Sequence, residues 1–232
     1  MSSLLESPAL PPLGTLETRS TSLSEQAYVR LRELILERRI AAGSLLLEGK
    51  IADELGISRT PMREALGRLA GEGLLVRRDA RSYSVRTVGT KEYFDAMRTR
   101  ELLECEAIGL ALGRVDEAQL AELAAEVEAL NTGQHSESEH WHFDDRLHLF
   151  IANASGNVVL PRLIEQLRDE ARLFRLHSPL HRQKENHHEH GEIIDALRRK
   201  DAEGARGAMR AHLRSLQNDV QRAILGDRVP QP

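Results

Sequence analysis

Apolar residues recur at helical spacing along most of the chain, and a clear short example precedes Gly56. Ile51, Ala52 and Leu55 fall on one side of a helix. Gly56 follows directly, at the place where a glycine in the left-handed conformation commonly ends a helix. This pattern predicts a short helix that ends at a tight turn.

A second short helix is predicted directly after that turn. Ser58 or Thr60 can cap it, and Pro61 is tolerated because it lies in the first turn. Arg59, Thr60 and Arg63 lie on the free side, where they suit contact with phosphates and base edges in a DNA major groove. Each arginine alone could equally be an ordinary surface residue. The turn, the cap and the basic first turn occur together at the right spacing, however, and this whole pattern favours DNA contact. Its buried face carries Met62, Leu66 and Leu69.

The surrounding segments complete a small N-terminal domain. The apolar pattern predicts a helix over residues 24–39. Short strands at 74–76 and 83–85 flank a polar turn and predict a two-stranded hairpin. Ser, Pro and Leu dominate residues 1–20, which we expect to be a flexible tail. We therefore expect a winged helix-turn-helix domain over residues 21–88.

From residue 91 onward the pattern predicts helices and no strand, and an antiparallel bundle of about six helices is the natural packing. The whole chain is thus predicted to be mainly α, with an all-α domain over residues 91–226. Leu102 is among the apolar residues that mark its first helix. The helices are expected at 93–112, from a cap near Asp116 to Leu130, and at 141–154, 160–177, 187–199 and 202–225, with a polar loop at 131–139.

Composition narrows the possible classes of protein. Hydrophobic residues make up 41% and aromatic residues 3%, so aliphatic cores are expected. The one cysteine, Cys105, excludes an internal disulfide framework and fits a reducing cytoplasm. No apolar run is long enough to cross a bilayer, and the N-terminus lacks a signal-peptide pattern. We expect a cytoplasmic protein that does not contact membranes.

Charge is distributed unevenly along the chain. The net charge is −4, which argues against indiscriminate binding of nucleic acid. Between residues 57 and 88, however, seven arginines stand against three acidic residues, which leaves +4 there and −8 elsewhere. A basic module on an acidic body is typical of a DNA-binding protein with a separate partner domain.

Four polar residues fall on apolar helical stripes of the C-terminal domain. Asp144 and His148 are four residues apart and share a face, while His190 and His212 each lie among apolar neighbours. A single such histidine is more often a hydrogen-bonded core residue. Four of them, directed into one core from three helices, would be costly to bury without a shared partner. A divalent cation supplies that partner, and this ligand set suits Zn, Ni, Mn, Fe or Co with coordination positions left open.

The remaining histidines are interpreted as solvated surface residues. His187 and His188 precede a predicted helix and could replace His190 as a ligand. The others lie in a polar loop or beside a proline: His135, His140, His142, His177 and His181.

The segment 56–66, followed by Leu69 and residues 72–75, resembles the winged helix-turn-helix of GntR-family bacterial transcription regulators. In that family an arginine often follows the glutamate matched by Glu48, whereas this chain has Gly49. The wing run, residues 77–85, lacks the glycine common at the family's wing tip. The resemblance implies DNA contacts from Arg59, Thr60, Arg63, Ser58, Lys50 and Arg81.

The C-terminal part carries a second resemblance. Residues 144–148 and 154–157, then Glu189 with His190, and later His212, resemble the ligand-sensing FCD (FadR C-terminal) domain of the GntR family. In metal-containing members the matching aspartate and three histidines hold the ion. The resemblance therefore implies one divalent ion per chain and a small organic acid as effector, whose carboxylate completes the coordination sphere.

Arg100 matches a common position in the first helix of that domain. There it could pair with the carboxylate of the effector, or equally form a surface or interface salt bridge with Glu104.

These observations predict a homodimeric, metabolite-responsive transcription regulator, a repressor, that binds a palindromic operator. We expect no enzyme, because no carboxylate is clearly placed as a general base beside the ligands. A metal-dependent hydrolase or lyase, and a DNA-binding protein with a purely structural metal, are the alternatives.

Overall fold

The structure is a computed structural model that describes residue 13 and residues 22–175 and 182–226. The chain divides into two compact units. The first reaches Gly89 and also takes in a short piece that begins at Arg172, and the second begins at Thr90.

Within the described residues, the N-terminal unit contains three helices and a three-stranded antiparallel sheet. The strands lie in the order β1-β3-β2, and Leu46 of β1 faces Tyr83 of β3. The elements are α1 (Leu23–Leu36), β1 (Leu45–Leu47), α2 (Glu48–Leu55), α3 (Arg59–Gly71), β2 (Leu75–Arg77) and β3 (Ser82–Val85).

Helix α1 is shorter than the predicted 24–39. The hydroxyl of Ser22 accepts a hydrogen bond from the backbone N–H of Glu25 at 3.1 Å, so the helix begins at Leu23. Arg38 adopts a positive φ of 66°, which is incompatible with a continuing right-handed helix. The helix therefore ends at Leu36.

The turn between α2 and α3 forms as the sequence predicts. Gly56 has φ 68° and ends α2 in the left-handed conformation. Ser58 occupies the N-cap position of α3, but its hydroxyl accepts no hydrogen bond from the first turn, all of which is described. The structure therefore places the cap at Ser58, one of the two predicted residues, but without a side-chain hydrogen bond, and Thr60 lies inside the helix. The face carrying Met62, Leu66 and Leu69 is buried as predicted.

The predicted two-stranded wing has a third strand. Residues 45–47 form β1, which pairs with β3, whereas the sequence predicted no strand before the helix-turn-helix. Three successive leucines give no alternation of polar and apolar residues, although their burial alternates in the folded sheet. Strand β1 therefore depends on its distant partner rather than on a local pattern.

The C-terminal unit is built from six helices among the described residues, as predicted. Ser136 and Glu139 form a capping box that starts α6 earlier than expected, so the predicted loop at 131–139 shrinks to four residues. The predicted end of α7 at residue 177 lies outside the described residues. The helices are α4 (Thr90–Ala111), α5 (Glu117–Thr132), α6 (Glu137–Ala154), α7 (Leu160–Arg175), α8 (Gln183–Arg198) and α9 (Ala202–Leu225).

Packing in this unit joins α4 to α6 and α9, and α8 to α5 and α9. Helix α8 starts four residues before its predicted position, and α9 has the predicted bounds. Leu102, one of the apolar residues that mark α4 in the sequence, is 70% exposed because it lies on the outer side of that helix. None of the helices in the described part of the chain combines the length and apolar character that crossing a membrane requires.

Candidate metal centre and nucleic-acid interface

The four predicted metal ligands meet inside the C-terminal unit. Asp144 and His148 come from α6, His190 from α8 and His212 from α9. One ligand atom from each residue lies within 4.8 Å of those of the other three. The three histidines are at most 1% exposed.

Two carboxylates fix the orientation of the imidazoles. Nδ1 of His148 is hydrogen-bonded to the carboxylate of Glu104. Nδ1 of His212 is hydrogen-bonded to Oε2 of Glu189 at 2.8 Å. When the Nδ1–H of a neutral imidazole donates a hydrogen bond to a carboxylate, the lone pair stays on Nε2 and is available to a ligand. Both rings are thereby prepared to bind through Nε2.

Several ring nitrogens in this cluster lack a partner. Among the described residues, Nε2 of His148, Nε2 of His212 and Nδ1 of His190 have none within hydrogen-bond geometry. Nε2 of His190 lies 3.1 Å from Oδ1 of Asp144. Buried polar atoms without partners cost about 1–3 kcal/mol each. A divalent cation would satisfy the inward Nε2 atoms, so the residues present fit such an ion.

The ionisation states also suit a metal. Burial, with the neighbouring His190 and His148, lowers the pKa of His212 to about 3, although Glu189 opposes the shift. Burial alone would raise the pKa of Asp144. The charge of Arg168 and a hydrogen bond from His190 outweigh burial and lower this pKa well below its usual range. The imidazole of His212 is therefore neutral and the Asp144 carboxyl ionised at neutral pH, which are the forms that bind a cation.

Arg168, on α7, supports the cluster and was missed from the sequence. Its Nη2 donates to Oδ2 of Asp144 at 2.6 Å and to Oδ1 of Asp145 at 2.7 Å. Its Nε and Nη1 are buried and have no hydrogen-bond partner among the described residues. Arg168 is one of four arginines in this amphipathic helix, and nothing in the local pattern distinguishes it from the other three.

Arg100 is buried rather than on the surface. Its Nε donates to Oε1 of Glu104 at 2.7 Å, and its Nη1 lies 3.4 Å from Sδ of Met97. The salt bridge considered from the sequence is therefore present, but inside the core. Since Glu104 also bonds to His148, Arg100 connects to the cluster through one carboxylate.

The interpretation of His187 as a surface residue is wrong. It is 4% exposed, and its Nε2 and Nδ1 lie 3.0 Å from Nδ1 of His140 and Oδ1 of Asn131. Burial and the adjacent His140 lower its pKa to about 4. His135 and His140 are half-buried, whereas His142 and His188 are exposed. His177 and His181 lie outside the described residues.

The predicted DNA contacts cluster on the N-terminal unit. Among the predicted DNA-contacting residues, Arg63 is the one whose guanidinium donates two hydrogen bonds to Glu48. Its Nε lies 3.0 Å from Oε2 of Glu48, and its Nη2 lies 2.8 Å from Oε1. Glu48 is 1% exposed, and its backbone N–H donates to the carbonyl of Arg81 at 3.0 Å. Exposed side chains are found at Arg59, Thr60, Arg63, Ser58, Lys50 and Arg81.

Comparison with known families agrees with both halves of the structure. Residues 23–85 match the family described as bacterial regulatory proteins, gntR family, and residues 95–215 match the FCD domain. The second match covers more than half of the chain. This protein is a GntR-family transcription regulator with an FCD domain.

Individual relatives agree with this assignment. The chain is 32% identical over 202 residues to the HTH-type transcriptional regulator McbR of Escherichia coli, covering 83% of this chain and 90% of McbR. It is 30% identical over 229 residues to a putative L-lactate dehydrogenase operon regulatory protein of Escherichia coli, covering 86% and 87%. The solved structure of E. coli McbR/YncC superposes with a TM-score of 0.76 at 27% identity, covering 88% of this GntR-family chain and 99% of that one.

These relatives confirm three predictions. The fold is a winged helix-turn-helix with a helical C-terminal domain, the chain is a transcription regulator, and it is not an enzyme. Its GntR-type module binds DNA. The metal-dependent hydrolase or lyase considered from the sequence is not favoured.

Proposed function

We propose that this GntR-family regulator is a cytoplasmic, homodimeric repressor, released from a palindromic operator by a small carboxylate bound at a divalent metal ion. The observation that carries the proposal is the convergence of Asp144, His148, His190 and His212, with imidazole Nε2 atoms that lack partners. A protein core does not ordinarily leave such atoms unsatisfied.

Those four residues would hold one ion per chain: Zn, Ni, Mn or Fe. Three imidazoles and one carboxylate leave coordination positions that an organic acid can occupy, and a bound ion supplies Lewis acidity toward that acid. One relative is named for an L-lactate dehydrogenase operon, which makes hydroxy acids a sensible first class to test.

Two arginines could pair with the carboxylate of the effector. Arg100 is the residue that the family resemblance implies, and Glu104 already engages its Nε. Arg168 lies beside Asp144 and keeps two N–H-bearing nitrogens without a partner among the described residues. We therefore infer that Arg168 is an alternative anchor to Arg100.

DNA reading is proposed to use the recognition helix α3 together with α2 and the wing. The proposed contacts come from Arg59, Thr60, Arg63, Ser58, Lys50 and Arg81. One module per chain gives two half-sites in a dimer, and two-fold symmetry sets them about one DNA turn apart, ~34 Å. Light scattering at micromolar concentration should give the mass of a dimer, and a monomer with intact operator binding would contradict this part of the proposal.

Calorimetric titration of sugar acids, hydroxy acids and dicarboxylates into metal-loaded and metal-free protein tests the effector site. We expect one class to bind only the loaded form and to release operator DNA in a mobility-shift assay. His148→Ala should abolish the response, whereas His142→Ala, on the exposed side of the same helix, should not. If folded, metal-free protein binds the acid as tightly as the loaded form, the pocket is not built around an ion. If the loaded form binds none of these acids while metal removal unfolds the protein, the ion is purely structural.

A further inference from the structure

A buried carboxylate lies beneath the surface that is proposed to read DNA. Glu48 begins α2 and is 1% exposed. A carboxylate without a partner is costly to bury, and here the partner is Arg63, from the first turns of α3. The Arg63 side chain is 58% exposed, so one side of its guanidinium faces the buried carboxylate while the rest stays accessible.

The geometry divides the guanidinium of Arg63 into two edges. Glu48 engages the edge formed by Nε and Nη2, at 3.0 and 2.8 Å. A guanidinium carries five N–H groups, of which this pairing takes two. Of the three that remain, one on Nη1 and one on Nη2 run parallel and form a second, adjoining edge, while the other N–H of Nη1 points toward the Cδ side. Two parallel N–H groups on that edge match O6 and N7 of guanine in the major groove.

We propose that Glu48 is a positioning residue that orients Arg63 so that its free edge reads a guanine in each half-site. The inference rests on the proposed DNA contact of α3. An arginine held on one edge loses less conformational entropy when its other edge binds a base. Glu48 therefore contributes to base selection without touching DNA.

Two further contacts support this role. The backbone N–H of Glu48 donates to the carbonyl of Arg81, so the same residue joins α2 to the loop of the wing. A Cβ added at Gly49 would lie 3.4 Å from Nη2 of Arg59, so the next residue in the chain borders a second recognition arginine. The hydrogen bonds from Arg63 hold the pKa of Glu48 below its usual range despite burial, so the carboxylate stays ionised.

In vitro selection from a random duplex library tests the inference with the full chain. The variants are Glu48→Gln, Arg63→Ala and the double variant. Glu54→Gln is the matched control, because Glu54 is an exposed glutamate on the same helix. Thermal unfolding is measured alongside to confirm that each variant is folded.

The wild type should select guanine at one position per half-site, and Arg63→Ala should lose that preference. Glu48→Gln should weaken the same preference roughly tenfold, with the other positions unchanged, and the control should behave as the wild type. The double variant should match Arg63→Ala, since Glu48 acts through Arg63. If Glu48→Gln does not fold, Glu48→Asp retracts the carboxylate by one methylene while keeping its charge, and should reduce the same preference.

The inference is overturned if the Glu48 variants weaken binding equally at all positions, or if their effect adds to that of Arg63→Ala. If Arg63→Ala loses the preference for guanine while a folded Glu48 variant keeps it, the positioning role of Glu48 is wrong but the proposed DNA contact of Arg63 stands. If Arg63→Ala retains the guanine preference, the proposed contact of Arg63 with DNA is wrong as well.

Discussion

Metal binding should stabilise the C-terminal unit, and His190 is the residue whose removal tests this most cleanly. Its ring is 1% exposed, its Nδ1 has no partner among the described residues, and its Nε2 lies 3.1 Å from Asp144. Without an ion, His190→Ala removes an unsatisfied polar group but also opens a cavity, and these effects oppose each other. The metal-dependent difference is therefore the quantity to measure.

The expected magnitude follows from ligand linkage. A ligand that binds only the folded state at 100 times its Kd stabilises by about 2.7 kcal/mol. For a protein of this size 1 kcal/mol shifts the melting temperature by roughly 2–4 °C, so the ion should raise it by about 5–11 °C. Because the pKa of His212 is about 3, protons do not compete for that imidazole at neutral pH.

Differential scanning calorimetry of chelator-treated protein, with and without added Zn²⁺ or Ni²⁺, provides the assay. His190→Ala should lose the metal-dependent shift. His188→Ala is the matched control, because His188 lies two residues earlier on α8 with a side chain that is 78% exposed. Equal metal-dependent shifts in wild type and His190→Ala would refute the assignment of His190 as a ligand, and with it the geometry of the site.

Three further predictions concern support of the site, pH and the turn. Glu104→Gln removes the carboxylate that bonds to His148 and should weaken metal binding roughly 10–100-fold in a chelator competition; unchanged affinity would contradict a supporting role. The folded-state pKa of His187, about 4, lies below its unfolded value of about 6.5, so the unfolded chain takes up this proton first. Stability of metal-free protein should therefore fall between about pH 6.5 and 4, and His187→Gln should flatten that slope in urea unfolding; an identical slope would count against burial of His187. Gly56→Ala should destabilise the N-terminal unit by about 1–2 kcal/mol, because φ is 68° there, and an unchanged urea midpoint would contradict this strain.

Local sequence predicted the elements that depend on short-range physics. Gly56 ends α2 because only glycine adopts its positive φ without strain, and Asp116 caps α5 through a hydrogen bond from the N–H of Gln119. Helical periodicity likewise placed Asp144 and His148 on one face and His190 and His212 on inward stripes. The structure brings those four residues together, and their assignment as metal ligands stays a prediction.

Tertiary structure alone decided which groups surround these residues. Glu104 and His148 are 44 residues apart, and Arg168 and Asp144 are 24 apart, so no local pattern links them. Packing between distant segments also decided three other features. These are the pairing of β1 with β3, the burial of His187 and the hydrogen bonds between Arg63 and Glu48. Periodicity tells which side of a helix faces inward, but the partner that satisfies a buried charge or lone pair is set by packing between distant segments.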